Sequence, residues 1–79
     1  MQVYVKLFAT LTRYAPGLRA GAPREIELPP ASTLADLVAR LALPPDQVKV
    51  IFVNGIKRGP DYRLTDEDEV GIFPPIGGG

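Results

Sequence analysis

The sequence predicts an α+β domain in which a sheet of four to five strands packs on one main helix. Three observations predict it. Short stretches alternate apolar with polar residues or run rich in β-branched ones, a single stretch repeats with helical spacing, and proline pairs or glycine-containing turns separate them.

Val3, Val5 and Leu7 alternate with Tyr4, Lys6 and Phe8, the period-two pattern of a half-buried strand with the first set facing the core. Ala9 to Tyr14 can form a short helical turn. Pro16-Gly17 and Gly21-Ala22-Pro23 mark a long loop. Arg24 to Leu28 alternates again with Ile26 and Leu28 inward, and Pro29-Pro30 ends it, so the first two strands can pair antiparallel.

Helix signals follow and agree with one another. Thr33 or Ser32 can cap an orphaned backbone N–H, and Asp36 falls in the first turn, where the positive end of the macrodipole favours an acid. Leu34, Leu37, Val38 and Leu41 recur at i, i+3, i+4 and i+7, one apolar stripe for the core, and Pro44-Pro45 is expected to close the helix. Val48 to Val53 reads as a strand, and Asn54-Gly55 suits a two-residue hairpin turn and is read as nothing more. Ile56 to Arg58 returns as its partner. Tyr62 and Leu64 pack an irregular segment onto the core, Asp66 to Glu69 forms a polar turn, and Val70 to Phe73 is the last strand with Val70 and Ile72 inward.

A single helix covers one face of a sheet. The other face is therefore open, and alternation places Tyr4, Lys6, Phe8 and Phe73 on it. With the first and last strands as neighbours, Phe8 and Phe73 form an exposed apolar patch, which beside a functional chain end reads as an interaction surface and otherwise as scattered surface hydrophobes.

That chain end is Phe73-Pro74-Pro75-Ile76-Gly77-Gly78-Gly79. Proline fixes φ and cannot donate to a ladder, so Pro74-Pro75 stops the strand and projects a stiff, extended stalk. Gly77 to Gly79 carry no Cβ and can enter a channel too narrow for side chains. The bland reading is a frayed terminus. Against it, the tail leads straight out of a core strand, with its stiffening prolines between strand and glycines. Ordering six flexible residues would cost roughly 6 to 12 kcal/mol, and the two prolines, already restricted, lower that cost. Burial of Phe8, Phe73 and Ile76 at about 25 cal/mol per Å² offsets the rest. The reading is a domain over 1–73 and a flexible tail over 74–79.

Composition narrows the chemistry. The 79 residues make one small domain that buries about 60% of its unfolded surface. Neither cysteine nor histidine occurs, which removes disulfides, thiolate nucleophiles and thiolate metal sites, together with the commonest general acid/base and metal ligand. No metal site is expected. The longest apolar run, Val50 to Val53, is far too short for a membrane span or a signal peptide, so a cytoplasmic domain with no membrane partner is expected. Zero net charge argues against a nucleic-acid partner. Charge is unevenly spread: Lys6, Arg13, Arg19 and Arg24 occupy 1–24 without an acid, while Asp61, Asp66, Glu67, Asp68 and Glu69 face Arg63 alone in 60–79. The acidic run is either a solvated turn or a feature steering the tail toward a basic partner.

The order of elements and the closing Phe73-Pro74-Pro75-Ile76-Gly77-Gly78-Gly79 resemble the ubiquitin-like β-grasp sulfur carriers of the MoaD/ThiS family, most closely its MoaD branch, the small subunits of molybdopterin synthase. The resemblance spans essentially the whole chain. Val50-Ile51-Phe52-Val53-Asn54-Gly55 and Leu64-Thr65-Asp66-Glu67-Asp68-Glu69-Val70 add weaker matches. Glu67 stands where the family commonly has glycine, which leaves the turn before the last strand open, and Gly77 stands where a small side chain is often found.

The resemblance implies a mixed sheet in the ubiquitin-like manner, and a mechanism. An activating, MoeB-like enzyme would join the Gly79 carboxylate to AMP from ATP. Sulfur would then displace AMP to leave a thiocarboxylate, which a MoaE-like large subunit would use to build the dithiolene of molybdopterin. On this reading Gly79 is the reacting residue, Gly77 and Gly78 thread the partner's channel, and Phe8, Phe73, Pro74, Pro75 and Ile76 bind the partner. Catalytic side chains belong to the partners, and ATP is used by the activating enzyme with no cofactor bound stably here. A ThiS-like carrier for thiamine synthesis and a ubiquitin-like protein modifier are the alternatives.

Overall fold

The computed structural model describes residues 1–14 and 22–75. The loop expected around Pro16-Gly17 and Gly21 lies outside the described residues, and so do Ile76, Gly77, Gly78 and Gly79. Five strands form one sheet among the described residues: β1 Gln2–Leu7, β2 Pro23–Glu27, β3 Val50–Val53, β4 Ile56–Arg58 and β5 Glu69–Phe73, in the order β2-β1-β5-β3-β4. The central pair, β1 with β5, is parallel and sets Val5 beside Val70 and Leu7 beside Ile72. Every other pairing is antiparallel. The sheet is therefore mixed, and the first and last strands are neighbours as expected.

Alternation decides the faces. Val3, Val5, Leu7, Ile26, Leu28, Ile51, Val53, Val70 and Ile72 are buried toward the helix, where Leu34 and Leu37 of α1, Leu34–Arg40, meet them. Leu11, from the 3₁₀ turn Ala9–Tyr14, and Leu43 and Leu64, from irregular segments, complete this core. Val38 and Leu41 pack against it half-buried, as the outer half of the apolar stripe.

Thr33 caps α1 in a reciprocal box: its Oγ1 accepts from the Asp36 N–H at 3.2 Å, and Asp36 Oδ2 accepts from the Thr33 N–H at 2.9 Å. The helix ends earlier than the expected Pro44-Pro45. Ala42 turns to φ +56° and donates to the Ala39 carbonyl, while Leu43 donates to the Val38 carbonyl, the two bonds of a Schellman closure. Glycine is the usual sequence signal for that closure and alanine is not. Pro45–Gln47 then forms its own 3₁₀ turn with Val48 as its cap, so β3 begins at Val50 rather than Val48.

Two turns depart from their sequence readings. Asn54 and Gly55 take φ +51° and +83°, the hairpin geometry expected, yet the Asn54 side chain does more than turn the chain. Its Nδ2 donates to Asp68 Oδ1 at 2.9 Å and its Oδ1 accepts from the Glu69 N–H at 2.9 Å. Asp68 is buried, and it also accepts from the Thr65 N–H at 2.8 Å and the Thr65 hydroxyl at 3.0 Å. Asp66 accepts from the Gln2 N–H at 2.8 Å. The acidic run is therefore divided: Asp68 is buried within the turn, Asp66 ties the turn to β1 from the surface, and Glu67 and Glu69 are exposed. Glu67 takes φ +69°, so the left-handed conformation that suits glycine is present there without one.

Candidate functional site

On the face opposite the helix, register brings three aromatic rings together. Phe8 directly follows β1 and donates its N–H to the Ile72 carbonyl, which carries its ring beside that of Phe73 at the end of β5. The two rings stack with centroids 4.3 Å apart and planes 3° from parallel. Phe52 of β3 meets Phe73 edge-on at 5.8 Å and 86°. Both arrangements are ones the aromatic quadrupole favours.

Gly71 lies beneath them. A Cβ there would sit 3.5 Å from the Phe8 ring and 3.6 Å from the Phe73 ring, so the bare backbone forms the floor of a shallow cleft. The cleft measures about 630 Å³, and its walls include Tyr4, Lys6, Phe8, Phe52 and Phe73. Register lines Lys6, Gly71, Phe52 and Lys57 across four strands, so a lysine flanks the aromatic strip on each side. Tyr4 and Glu69 form the next row, leaving the acidic end of the face away from the end of β5.

The sequence-predicted site residues divide into two sets. Phe8 and Phe73 are brought into contact, each half-buried. Pro74 is half-buried and Pro75 exposed beyond the end of β5, and the Phe73 carbonyl accepts from the Lys49 N–H at 2.8 Å. Ile76, Gly77, Gly78 and Gly79 lie outside the described residues. Sequence reading missed Phe52. Its signal was present, because Val50 and Phe52 alternate with the buried Ile51 and Val53 and so share the open face with Phe73. At 36% exposure Phe52 is the most open of the three rings.

Among the described residues no cluster of three or more acids could hold a metal ion. No helix is long and apolar enough to cross a membrane.

A parallel β1–β5 pair flanked by β2 on one side and by the β3–β4 hairpin on the other, with a helix on one face and an aromatic patch on the other at the end of β5, defines a ubiquitin-like β-grasp domain. The chain belongs to the ThiS family, whose model matches residues 5–79. Among solved structures it is similar to a Pyrococcus furiosus protein described as a candidate molybdopterin converting factor, subunit 1, with 30% identity, a TM-score of 0.74, and 96% of this chain and 99% of that one covered. It is also similar to small archaeal modifier protein 1 of Methanosarcina acetivorans, with 25% identity, a TM-score of 0.71, and 99% and 96% covered. The complex of subunits 1 and 2 of the molybdopterin-converting factor of Helicobacter pylori matches with 23% identity, a TM-score of 0.61 and both chains covered in full, a likeness of fold. No match was found among curated protein sequences.

Proposed function

We propose that this chain is a sulfur carrier for molybdopterin synthesis, with the Gly79 carboxylate as the group that is activated and loaded. The observation that carries the reading is membership of the ThiS family over 5–79, together with 30% identity across nearly the whole chain to the Pyrococcus furiosus protein. A carboxylate is a poor electrophile because attack would have to expel oxide. A MoeB-like enzyme joins it to AMP: the carboxylate oxygen attacks the α-phosphorus of ATP, pyrophosphate departs, and the acyl-adenylate then has a good leaving group. Sulfur attacks the Gly79 carbonyl carbon, the C–O bond to AMP breaks, and a thiocarboxylate remains.

The chain's own contribution is presentation. The aromatic patch of Phe8, Phe73 and Phe52 anchors the domain on a partner, while Pro74 and Pro75 hold the tail straight and Ile76 adds apolar area beyond them. Gly77 and Gly78 pass through the narrow approach to the reacting atoms. A MoaE-like large subunit supplies the catalytic side chains of the transfer, a proposal supported by the paired subunits of the Helicobacter pylori structure. The setting is cytoplasmic, without nucleic acid or membrane as partner.

A second reading, a ubiquitin-like protein modifier, is favoured by the likeness to the Methanosarcina acetivorans modifier protein. One experiment separates the two. Incubation with an activating enzyme, ATP and a sulfur donor adds about 16 Da, the replacement of one oxygen by sulfur at a charge-keeping site. An unchanged mass with a competent enzyme overturns the carrier reading, and Gly79 recovered in isopeptide bonds to other proteins' lysines supports the modifier.

A further inference from the structure

We infer that the outer edge of β2 is a docking site for an extended segment of a partner protein, one that alternates basic with apolar residues and adds to the sheet as a further strand. β2 and β4 are the edge strands among the described residues, and β4 is three residues long against five for β2. Hydrogen bonding fixes which backbone groups of β2 face outward. The Tyr4 and Phe8 N–H groups donate to the Asp68 and Ile72 carbonyls, so this alternate set of β1 turns its polar groups to β5. Val3 and Val5 therefore turn theirs to β2, where they stand opposite Ile26 and Arg24. The N–H and C=O groups of Glu25 and Glu27 are left pointing away from the sheet, and outside the ladder they have no partner among the described residues.

A groove of about 340 Å³ runs beside this edge. One wall is β2 from Arg24 to Glu27, and the other is Tyr14 with Arg40 and Leu41 at the C-terminal end of α1. Tyr14 and Leu41 are half-buried against the core and offer apolar surface, while Arg24 and Arg40 are exposed.

Side chains specify the occupant. Glu25 and Glu27 share the open face with Tyr4 and Gln2, and Arg24 and Ile26 share the helix face with Val5 and Val3. A strand laid antiparallel on β2 sets each of its residues opposite one of these and on the same face. Opposite Glu27 and Glu25 it needs lysine or arginine, opposite Ile26 an apolar residue that reaches Tyr14 and Leu41, and opposite Arg24 an acid. The segment so defined reads Lys-Val-Lys-Glu, and its two lysines are the residues whose backbones exchange hydrogen bonds with Glu27 and Glu25. Acids on the outward-pointing positions also repel the β2 edge of a second copy, so the edge is closed to its own kind and open to a basic strand. β1 separates β2 from β5, so a segment bound there leaves the aromatic patch and the end of β5 free for another partner.

The test titrates the full chain with the capped peptide Ser-Lys-Val-Lys-Glu-Ser and follows its backbone amides by NMR. Binding is expected to slow hydrogen exchange at Glu25 and Glu27 and to leave Arg24 and Ile26, already paired to β1, unchanged. The charge-reversed peptide Ser-Glu-Val-Glu-Lys-Ser should bind at least about tenfold more weakly, and so should the original peptide to the Glu25→Lys, Glu27→Lys double variant, whose amide spectrum also reads its folding. Methylating the backbone nitrogens of both peptide lysines, a change that leaves the protein untouched, should remove binding. Methylating that of the valine, whose N–H faces away from β2, should not. Equal affinity for the two peptides, or protection that is absent or spread evenly over residues 24–27, would overturn the inference. So would protection of Glu25 and Glu27 that grows with protein concentration and no peptide, the sign of a second copy on the edge. Gly79 takes no part, so these results and the mass shift on sulfur loading are read independently.

Discussion

Replacing Asn54 by glycine isolates what its amide does, because glycine keeps the left-handed turn while deleting both side-chain hydrogen bonds. The bond to the Glu69 N–H is neutral, about 1 kcal/mol, and the bond to the Asp68 carboxylate is charge-assisted but next to solvent, again about 1 kcal/mol. Greater freedom of glycine in the unfolded chain adds about 0.5 kcal/mol. Asn54→Gly should therefore destabilise by about 2 to 3 kcal/mol, a fall in Tm of roughly 10 to 20 °C for a domain this small. Asp68→Ala removes three acceptor contacts and should cost about 2 to 4 kcal/mol, softened because the Thr65 donors it leaves can reach water. Urea unfolding of wild type, both single variants and the double variant gives the coupling. A value near 1 kcal/mol is expected for the shared Nδ2···Oδ1 bond. If Asn54→Gly lies within about 0.5 kcal/mol of wild type, or the coupling is zero, the turn is only a turn and the reasoning fails.

Four further outcomes are expected. Ala42→Gly and Glu67→Gly each relieve a left-handed residue and should raise stability by about 0.5 to 1 kcal/mol in urea unfolding; a loss at either site would show that the strain is absent there. Phe8→Ala and Phe73→Ala should each lower stability by about 1 to 2 kcal/mol, below the roughly 3 to 5 of a core phenylalanine, and weaken binding to the large subunit by about 1 to 4 kcal/mol. A large fall in the unfolding midpoint with unchanged affinity would remove the patch from the interface. Phe52→Ala, at the most exposed ring, should spare stability more than either and still weaken binding, which calorimetry with the same partner checks. Gly78→Val should abolish sulfur transfer while leaving thermal unfolding unchanged, and normal turnover by that variant would show that the tail is not threaded.

Much of the fold could be read from the chain because each face of the sheet is written at period two. Val3, Val5, Leu7, Val70 and Ile72 announce their burial, and the same rule puts Phe8 and Phe73 together on the other side. What escaped reading depends on side chains whose partners are distant in sequence. Nothing local says that Asn54 reaches Asp68, or that Asp68 alone among its acidic neighbours is buried. The early end of α1 was hidden differently, since Ala42 takes a conformation for which alanine carries no signal. Phe52 was legible and was passed over, its strand being read for its inward residues.

The place of β5 in the sheet has a consequence for biosynthesis. It is the last of the described strands to be made, yet it lies in the middle, with β1 on one side and β3 on the other. Until residue 73 has left the ribosome, the chain can form a β1–β2 pair and a β3–β4 hairpin with no strand to join them, and the long-range pairings that complete the core come last. A chain interrupted before that point leaves the inner edges of β1 and β3 unpaired as well and has no closed core, a form suited to degradation. Pro74 and Pro75 directly follow the strand that closes the sheet, so they take their place only in a molecule whose folding is finished.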